Sequence, residues 1–176
     1  ELINGNNSSA YLTGARGYKQ YELSNHLGNV LVTLTDRKLP IVVFGTLLYR
    51  SDISSAQDYY PFGMLMQERN LNYSNYLYGF NGKMSDNEIY GKDRSYDFGA
   101  RIYDPRLGKW SACDPLAKKY PDLSTYSFVA NNPIIAIDPD GEKIVIVEKK
   151  GFLGIGRKTT TYTPGTGYSG NNKFTK

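Results

Sequence analysis

The residues of this 176-residue chain with the most chemical reach are acids placed before prolines: Asp104, Asp114 and Asp138. Proline pushes the residue before it to extended geometry, and an aspartate held there turns its carboxylate onto nearby backbone N–H groups. The plain reading of each is a turn former, and Asp104 calls for nothing more. Arg101 lies among Gly99, Ala100 and Tyr103, small and aromatic neighbours. A guanidinium buried in such a run needs a carboxylate or carbonyl partner. Other reactive types are scarce. The single histidine, His26, falls in a turn and reads as solvent-facing, and the single cysteine, Cys113, reads as a small packing residue. One of each rules out an intrachain disulfide and a Cys/His zinc site. The GxxGxG of residues 151–156 lacks a βαβ setting and reads as a turn. No cofactor is expected.

Composition tells what must position these groups. Sixteen tyrosines and 18 glycines in a chain that is 14 % aromatic suit pleated strands joined by tight turns. The net charge of +4 is spread over scattered residues, among them Arg94, Arg106, Lys109, Lys118 and Lys158. With no basic stripe, no specific nucleic-acid partner is expected. No apolar run approaches the roughly 20 residues of a membrane-spanning helix. The chain opens on Glu1 without an initiator Met, as an internal fragment or processed product would.

Along the chain, residues 1–17 read as an irregular leader. YKQYELS and VLVTLTD form a hairpin about Gly28-Asn29. IVVFGTLLY (41–49) reads as one apolar strand, SDISSAQ as a polar connector, and DYYPFGMLMQE as an edge strand with an early Pro61. Tyr-led runs at 76–83, 96–110 and 126–141 each end in a Gly or Pro turn. That loose period suits a coiled β-sheet, and suits hairpins in a sandwich equally well. DPLAKKY (114–120) is the one helical signal: Asp114 caps, Pro115 takes the first position and Pro121 stops it. After Gly141, KIVIVEKK and RKTTTYTP read as a charged hairpin.

Three runs carry a family resemblance. YELSNHLGNVLVTLTD is similar to a YD/RHS repeat, and YYPFGM followed by YLYGFNGK resembles the approach to the core in Bacteroidetes-type Rhs proteins. The most specific run is YDFGARIYDPRLGKWSACDPLAKKYPDLSTYSFVANNPIIAIDPDG (96–141). It resembles the Rhs repeat-associated core, with its GAR-x-YDP, its first DP, its NNP stretch and its closing DPDG. The resemblance covers about residues 18–141 and implies YD-repeat-like hairpins over 18–95, the core over 96–141 and the start of a variable C-terminal segment over 142–176.

What the resemblance implies is an all-β fold of consecutive antiparallel hairpins, part of a curved Rhs-type shell, with 18–112 in one continuous sheet and a short helix near 114–120. It implies a secreted or cell-surface bacterial toxin whose shell encloses a C-terminal effector. The implied partners are the remaining shell and effector of the same polypeptide, with secretion-system or cell-surface proteins beyond them. It also implies an aspartyl autoprotease in which Asp114 and Asp138 work as a pair, one ionised and one holding a proton. Arg101 or Lys109 would support them beside a cleavage region at Gly141 and Glu142. Ala117 stands where the pattern of cleaving members has Gly, and Glu142 where it has Leu. The reading from another class is a cell-surface adhesion or protein-binding β-module that presents Tyr and Asn on the same scaffold.

Overall fold

In a computed structural model the chain is described over residues 19–72, 76–88, 91, 94–149 and 157–162. The leader 1–17 and the 151–156 turn lie outside the described residues. The first hairpin forms where the sequence places it. Strand β1 (Gln20–Ser24) runs antiparallel to β2 (Val30–Val43), with Gln20 opposite Thr35. The Asn25 side chain builds the turn, its carboxamide oxygen accepting N–H bonds from Leu27 and Asn29 at 3.0 and 3.1 Å.

Beyond that hairpin the strand boundaries differ from the sequence reading. The run 41–49 is not one strand. It folds back at Phe44-Gly45, both at positive φ (49° and 77°), the geometry a two-residue hairpin requires. The return strand β3 (Thr46–Tyr59) takes in SDISSAQ, which is strand and not connector. Its polarity misleads because hydroxyls are satisfied inside the sheet: Thr33 Oγ1 lies 2.7 Å from both Ser54 Oγ and Ser55 Oγ, all buried. Pro61 is likewise in a turn, where the Gly63 N–H donates to the Tyr60 carbonyl at 2.8 Å, and β4 (Leu65–Asn72) comes after it. The first sheet runs β1-β2-β3-β4.

A second sheet is built from very short strands: β5 (Met84–Ser85), β6 (Tyr96–Asp97), β7 (Ile102–Asp104) and β8 (Lys109–Trp110). A third joins β9 (Ala136–Ile137), β10 (Val145–Lys149) and β11 (Arg157–Thr161), with β10 in the middle. The architecture is all-β and every strand pair is antiparallel. It is not one continuous sheet through residue 112. Turns at Gly99 and at Asp104–Gly108 leave only two or three residues between reversals, too few to carry the first sheet onward. Among the described residues no sheet closes on itself.

The helix expected near 114–120 is a single 3-10 turn, Ala117–Lys119. Asp114 shapes its entry by accepting the Leu116 N–H at 2.7 Å, and Pro121 prevents a second turn. In place of long elements, rings hold this half together. Phe80, Tyr96, Phe98, Tyr103, Trp110 and Phe128 form one buried cluster, with Tyr103 and Phe128 centroids 4.3 Å apart. The fully buried Tyr103 still satisfies its hydroxyl by donating to the Phe62 carbonyl at 2.9 Å.

Candidate active site

Three peptide segments meet at Arg101, and each is brought there by a local device. The β7–β8 turn is made by Asp104, whose Oδ1 accepts the Arg106 N–H at 2.9 Å while its carboxylate pairs with the Arg106 guanidinium at 2.6 Å. Burial alone would push the Asp104 carboxyl up, but these bonds outweigh it and hold it below the ordinary range. Asp104 is thus a turn former. The reversal sets β8 beside β7 and turns Trp110 inward, leaving Lys109 exposed on the other face. The next segment loops back through two bonds, Trp110 N–H to the Tyr126 carbonyl and Asp114 N–H to the Thr125 carbonyl, both 3.0 Å. The third segment is Asp138–Lys143. Asp138 Oδ1 gathers the N–H groups of Asp140, Gly141, Glu142 and Lys143 at 3.2, 2.7, 3.1 and 3.3 Å.

Arg101 ties the three together. One terminal nitrogen lies 3.1 Å from Asp114 Oδ2 and 3.5 Å from Asp138 Oδ2. The other donates to the Thr125 carbonyl at 3.3 Å, and Nε donates to the Gly141 carbonyl. The guanidinium carbon lies 4.1 Å from the centre of the Trp110 ring, which covers one flat face. The Arg101 and Asp138 side chains are each 2 % exposed, and that of Asp114 12 %. Between them is a cavity of about 10 Å³, lined by Arg101, Asp114, Tyr120, Thr125, Asp138 and Ile144 among others, with room for about one water.

The electrostatics divide the two acids. Burial pushes the Asp138 carboxyl up to about 6, against the pull of the N–H bonds from Gly141 and Asp140 and of the Arg101 charge. Burial also draws the Arg101 guanidinium below its ordinary value, opposed by Asp114 and Asp138. Desolvation raises Tyr120 in the same way. Gly141 itself is fixed by sterics. Its φ is +81°, and a Cβ there would stand 3.0 Å from the Arg101 backbone nitrogen.

Of the residues singled out from sequence, Arg101, Asp114, Asp138, Gly141 and the Glu142 amide are brought to one place. Lys109 is not, because strand alternation turns it away. His26 is exposed and lies 3.3 Å from the Ile134 carbonyl, and exposed Cys113 sits 3.0 Å from the Tyr126 hydroxyl. Sequence reasoning missed Trp110 and the Thr125 carbonyl. The signal for Trp110 was its place one residue past Lys109 in a strand whose partner is Tyr103. No group of acids, cysteine and histidine suited to a metal ion occurs among the described residues.

Known proteins share parts of this sequence and fold. No family model matches the chain. Toxin subunit YenC1 of Yersinia entomophaga is 34 % identical over 110 residues, covering 57 % of this chain and 11 % of that protein. Toxin subunit YenC2 of the same organism is 42 % identical over 55 residues, 29 % of this chain and 6 % of that subunit. The crystal structure of TcdB2-TccC3-Cdc42 matches 70 % of this chain with a TM-score of 0.53 and 26 % identity. These likenesses support an Rhs-type toxin family. A similar sequence also occurs in salivary gland surface protein 1 of Aedes aegypti, 27 % identical over 138 residues, or 78 % of this chain. The chain is a small part of any of these relatives, spanning 4 to 11 % of the three proteins and 5 % of the solved chain. An all-β segment with an Rhs-type fold therefore carries the Arg101 centre. Among the described residues no helix is long and apolar enough to cross a membrane.

Proposed function

We propose that this chain is the closing segment of a secreted Rhs toxin shell of Bacteroidetes type, and that it cuts its own backbone at Gly141–Glu142 to detach a C-terminal effector. In this reading 18–95 are repeat-like shell, 96–141 the core and 142–176 the start of the variable segment. The observation that carries the proposal is the single buried guanidinium holding two carboxylates and the Gly141 carbonyl at once. The Gly141 carbonyl belongs to the peptide that joins the Asp138–Gly141 turn to β10, so the same cation that holds the acids also holds one particular peptide bond.

Each group has a role that its position suits. A water adds to the Gly141 carbonyl carbon and gives a proton to Asp114, the more exposed acid. The carbonyl oxygen, gaining negative charge, stays on Arg101 Nε. Asp138 Oδ1 accepts the Glu142 N–H, so the proton that its raised pKa lets it hold sits on Oδ2; it passes to the Glu142 nitrogen once water has added and that nitrogen has become pyramidal, as the C–N bond breaks. One water is consumed, and the products are the Gly141 carboxylate and the Glu142 amine. Trp110 holds the flat face of the guanidinium against the site, and Gly141 lets the scissile peptide approach.

The test is a cleavage time course of the gene-encoded polypeptide that contains this chain, read by intact mass, for wild type, Asp114→Asn and Asp138→Asn. Each variant should slow cleavage at least about 100-fold, the scale of losing a general acid or base. Uncut wild type, or variants cut at the wild-type rate, would reduce both acids to turn formers.

A second reading, a surface-binding β-module, draws on the β2–β3 tip, where Val42, Phe44 and Tyr49 are exposed. The shell reading accounts for the same exposure. The tip extends past β1 and β4, so its edges as well as its faces are uncovered, as in a strand pair built to sit within a broader sheet.

A further inference from the structure

The run YLYGFNGK (76–83) stands out in the sequence, and the hydrolysis proposed above uses none of it. Its last residue, Lys83, reaches the Asp138–Gly141 turn. Nζ donates to the Pro139 carbonyl at 2.7 Å and lies 5.3 Å from the centre of the Phe98 ring. The base of that side chain is fixed. Phe80–Gly82 make a 3-10 turn with Asn81 at φ 51°. The Lys83 N–H donates to the Phe80 carbonyl, and the Lys83 carbonyl accepts the Gly79 N–H, both at 2.9 Å. The Asn81 N–H donates to Asn29 Oδ1 at 2.8 Å and the Val30 N–H to the Gly79 carbonyl at 3.1 Å, so this turn sits on the first hairpin. Phe80 is buried in the ring cluster.

The Asp138–Gly141 turn has a pattern that gives the contact a use. Three successive peptide units each send an N–H to Asp138 Oδ1, from Asp140, Gly141 and Glu142. The carbonyls of the same three units, those of Pro139, Asp140 and Gly141, are each held from outside the turn. Lys83 Nζ holds the first, the Ala100 N–H the second at 3.1 Å and Arg101 Nε the third. A donor on a carbonyl polarises its peptide unit and makes the N–H at the other end a better donor. Each unit is thus fixed at both ends, and the third is the Gly141–Glu142 peptide itself. The Ala100 N–H is backbone and Arg101 belongs to the ion cluster, so Lys83 is the donor that a substitution removes cleanly.

We propose that Lys83 is a positioning residue: by holding the Pro139 carbonyl it fixes the row of amides on Asp138 and so presents the Gly141–Glu142 bond to Arg101. Its effect on the cut rests on the hydrolysis proposed above, whereas its hold on the turn does not. Without the ammonium, the first unit keeps only its bond to Asp138, at 3.2 Å the longest of the three, and the row loosens from that end. A reacting bond misplaced by about 1 Å can lose about 100-fold in rate while every reacting group is still present.

Two measurements on the gene-encoded polypeptide test this. Lys83→Met keeps an apolar stem and removes the ammonium, and Lys83→Arg keeps a cationic donor. The first measurement is amide hydrogen exchange read by mass spectrometry, with Asp114→Asn added to every form so that the chain stays whole. Lys83→Met should speed exchange of the 140–143 amides about tenfold, the scale of one charge-assisted hydrogen bond, and leave β2 as protected as before. Lys83→Arg should restore the protection. The second measurement is the cleavage time course with Asp114 intact. Lys83→Met should slow the cut at least about tenfold, and Lys83→Arg should recover most of the rate. Exchange in the turn unmoved by Lys83→Met, or quickened equally in β2, would overturn the positioning role. So would a Lys83→Met chain cut at the wild-type rate. Wild type left uncut would count against the hydrolysis, and the exchange measurement would still decide whether Lys83 holds the turn.

Discussion

The β2–β3 ribbon and the Arg101 centre are two opposite ways for one chain to be β-structured. In the ribbon, 14-residue strands pair along most of their length, yet Val42, Phe44, Leu47 and Tyr49 face solvent, with Phe44 fully exposed. Around Arg101 the strands are two or three residues long, and a cluster of rings is buried together with Arg101 and Asp138. Backbone pairing shapes the first region, and side chains shape the second. Long strands extend a surface, whereas short ones interrupted by Asp-Pro and Gly turns can converge carbonyls and carboxylates on one cation.

The sharpest way to break this comparison is to remove the cation. Arg101→Met should destabilise the core by about 3–5 kcal/mol, because it leaves the buried Asp138 and the partly buried Asp114 without their shared counter-charge. Denaturant unfolding followed by Trp110 fluorescence would read the loss. An effect below about 1 kcal/mol would mean that the centre does not hold the region together.

A smaller effect is the pH dependence of stability. The Asp138 carboxyl is raised to about 6 in the folded chain, above the ordinary aspartate value of about 4. The folded state therefore binds this proton more tightly than the unfolded state. The resulting stability is complete below about pH 4 and is lost as pH rises through about 6. Asp138→Asn should flatten the slope of unfolding free energy against pH in that window. An unchanged slope would move the titration to another group.

The smallest effect on folding is expected at the ribbon tip. Phe44→Ser should change the unfolding free energy by no more than about 0.5 kcal/mol, as for other exposed positions. It should nonetheless reduce self-association, since a lone two-stranded ribbon with apolar faces and open edges recruits other strands. Sedimentation of wild type and variant would show this. A tip that destabilises the core on substitution would erase the contrast between the two regions.

Legibility in the sequence divides along the same line. The hairpin at Gly28-Asn29 was visible because Asn25 and Gly28 supply turn chemistry between β-branched runs. The reversal at Phe44-Gly45 was not, because Phe is an unusual residue at positive φ and the apolar run continues through it. SDISSAQ was misread because its hydroxyls are satisfied by Thr33, 20-odd residues away in sequence, which no local pattern displays. Asp114, Asp138 and Arg101 stood out through their motifs, but their meeting depends on Trp110 and on the Thr125 and Tyr126 carbonyls, contacts that only the folded loop creates. Lys109 was attractive by charge and excluded by a one-residue alternation.

If Arg101, Asp114 and Asp138 act on the peptide bond after Gly141, the cut leaves a defined end. The most direct measurement is the N-terminal residue of the C-terminal product released from the gene-encoded polypeptide. Glu142 is expected at that terminus in wild type, with no such product from Asp114→Asn. A product beginning at any other residue, or one beginning at Glu142 in equal yield from the variant, would contradict the assignment.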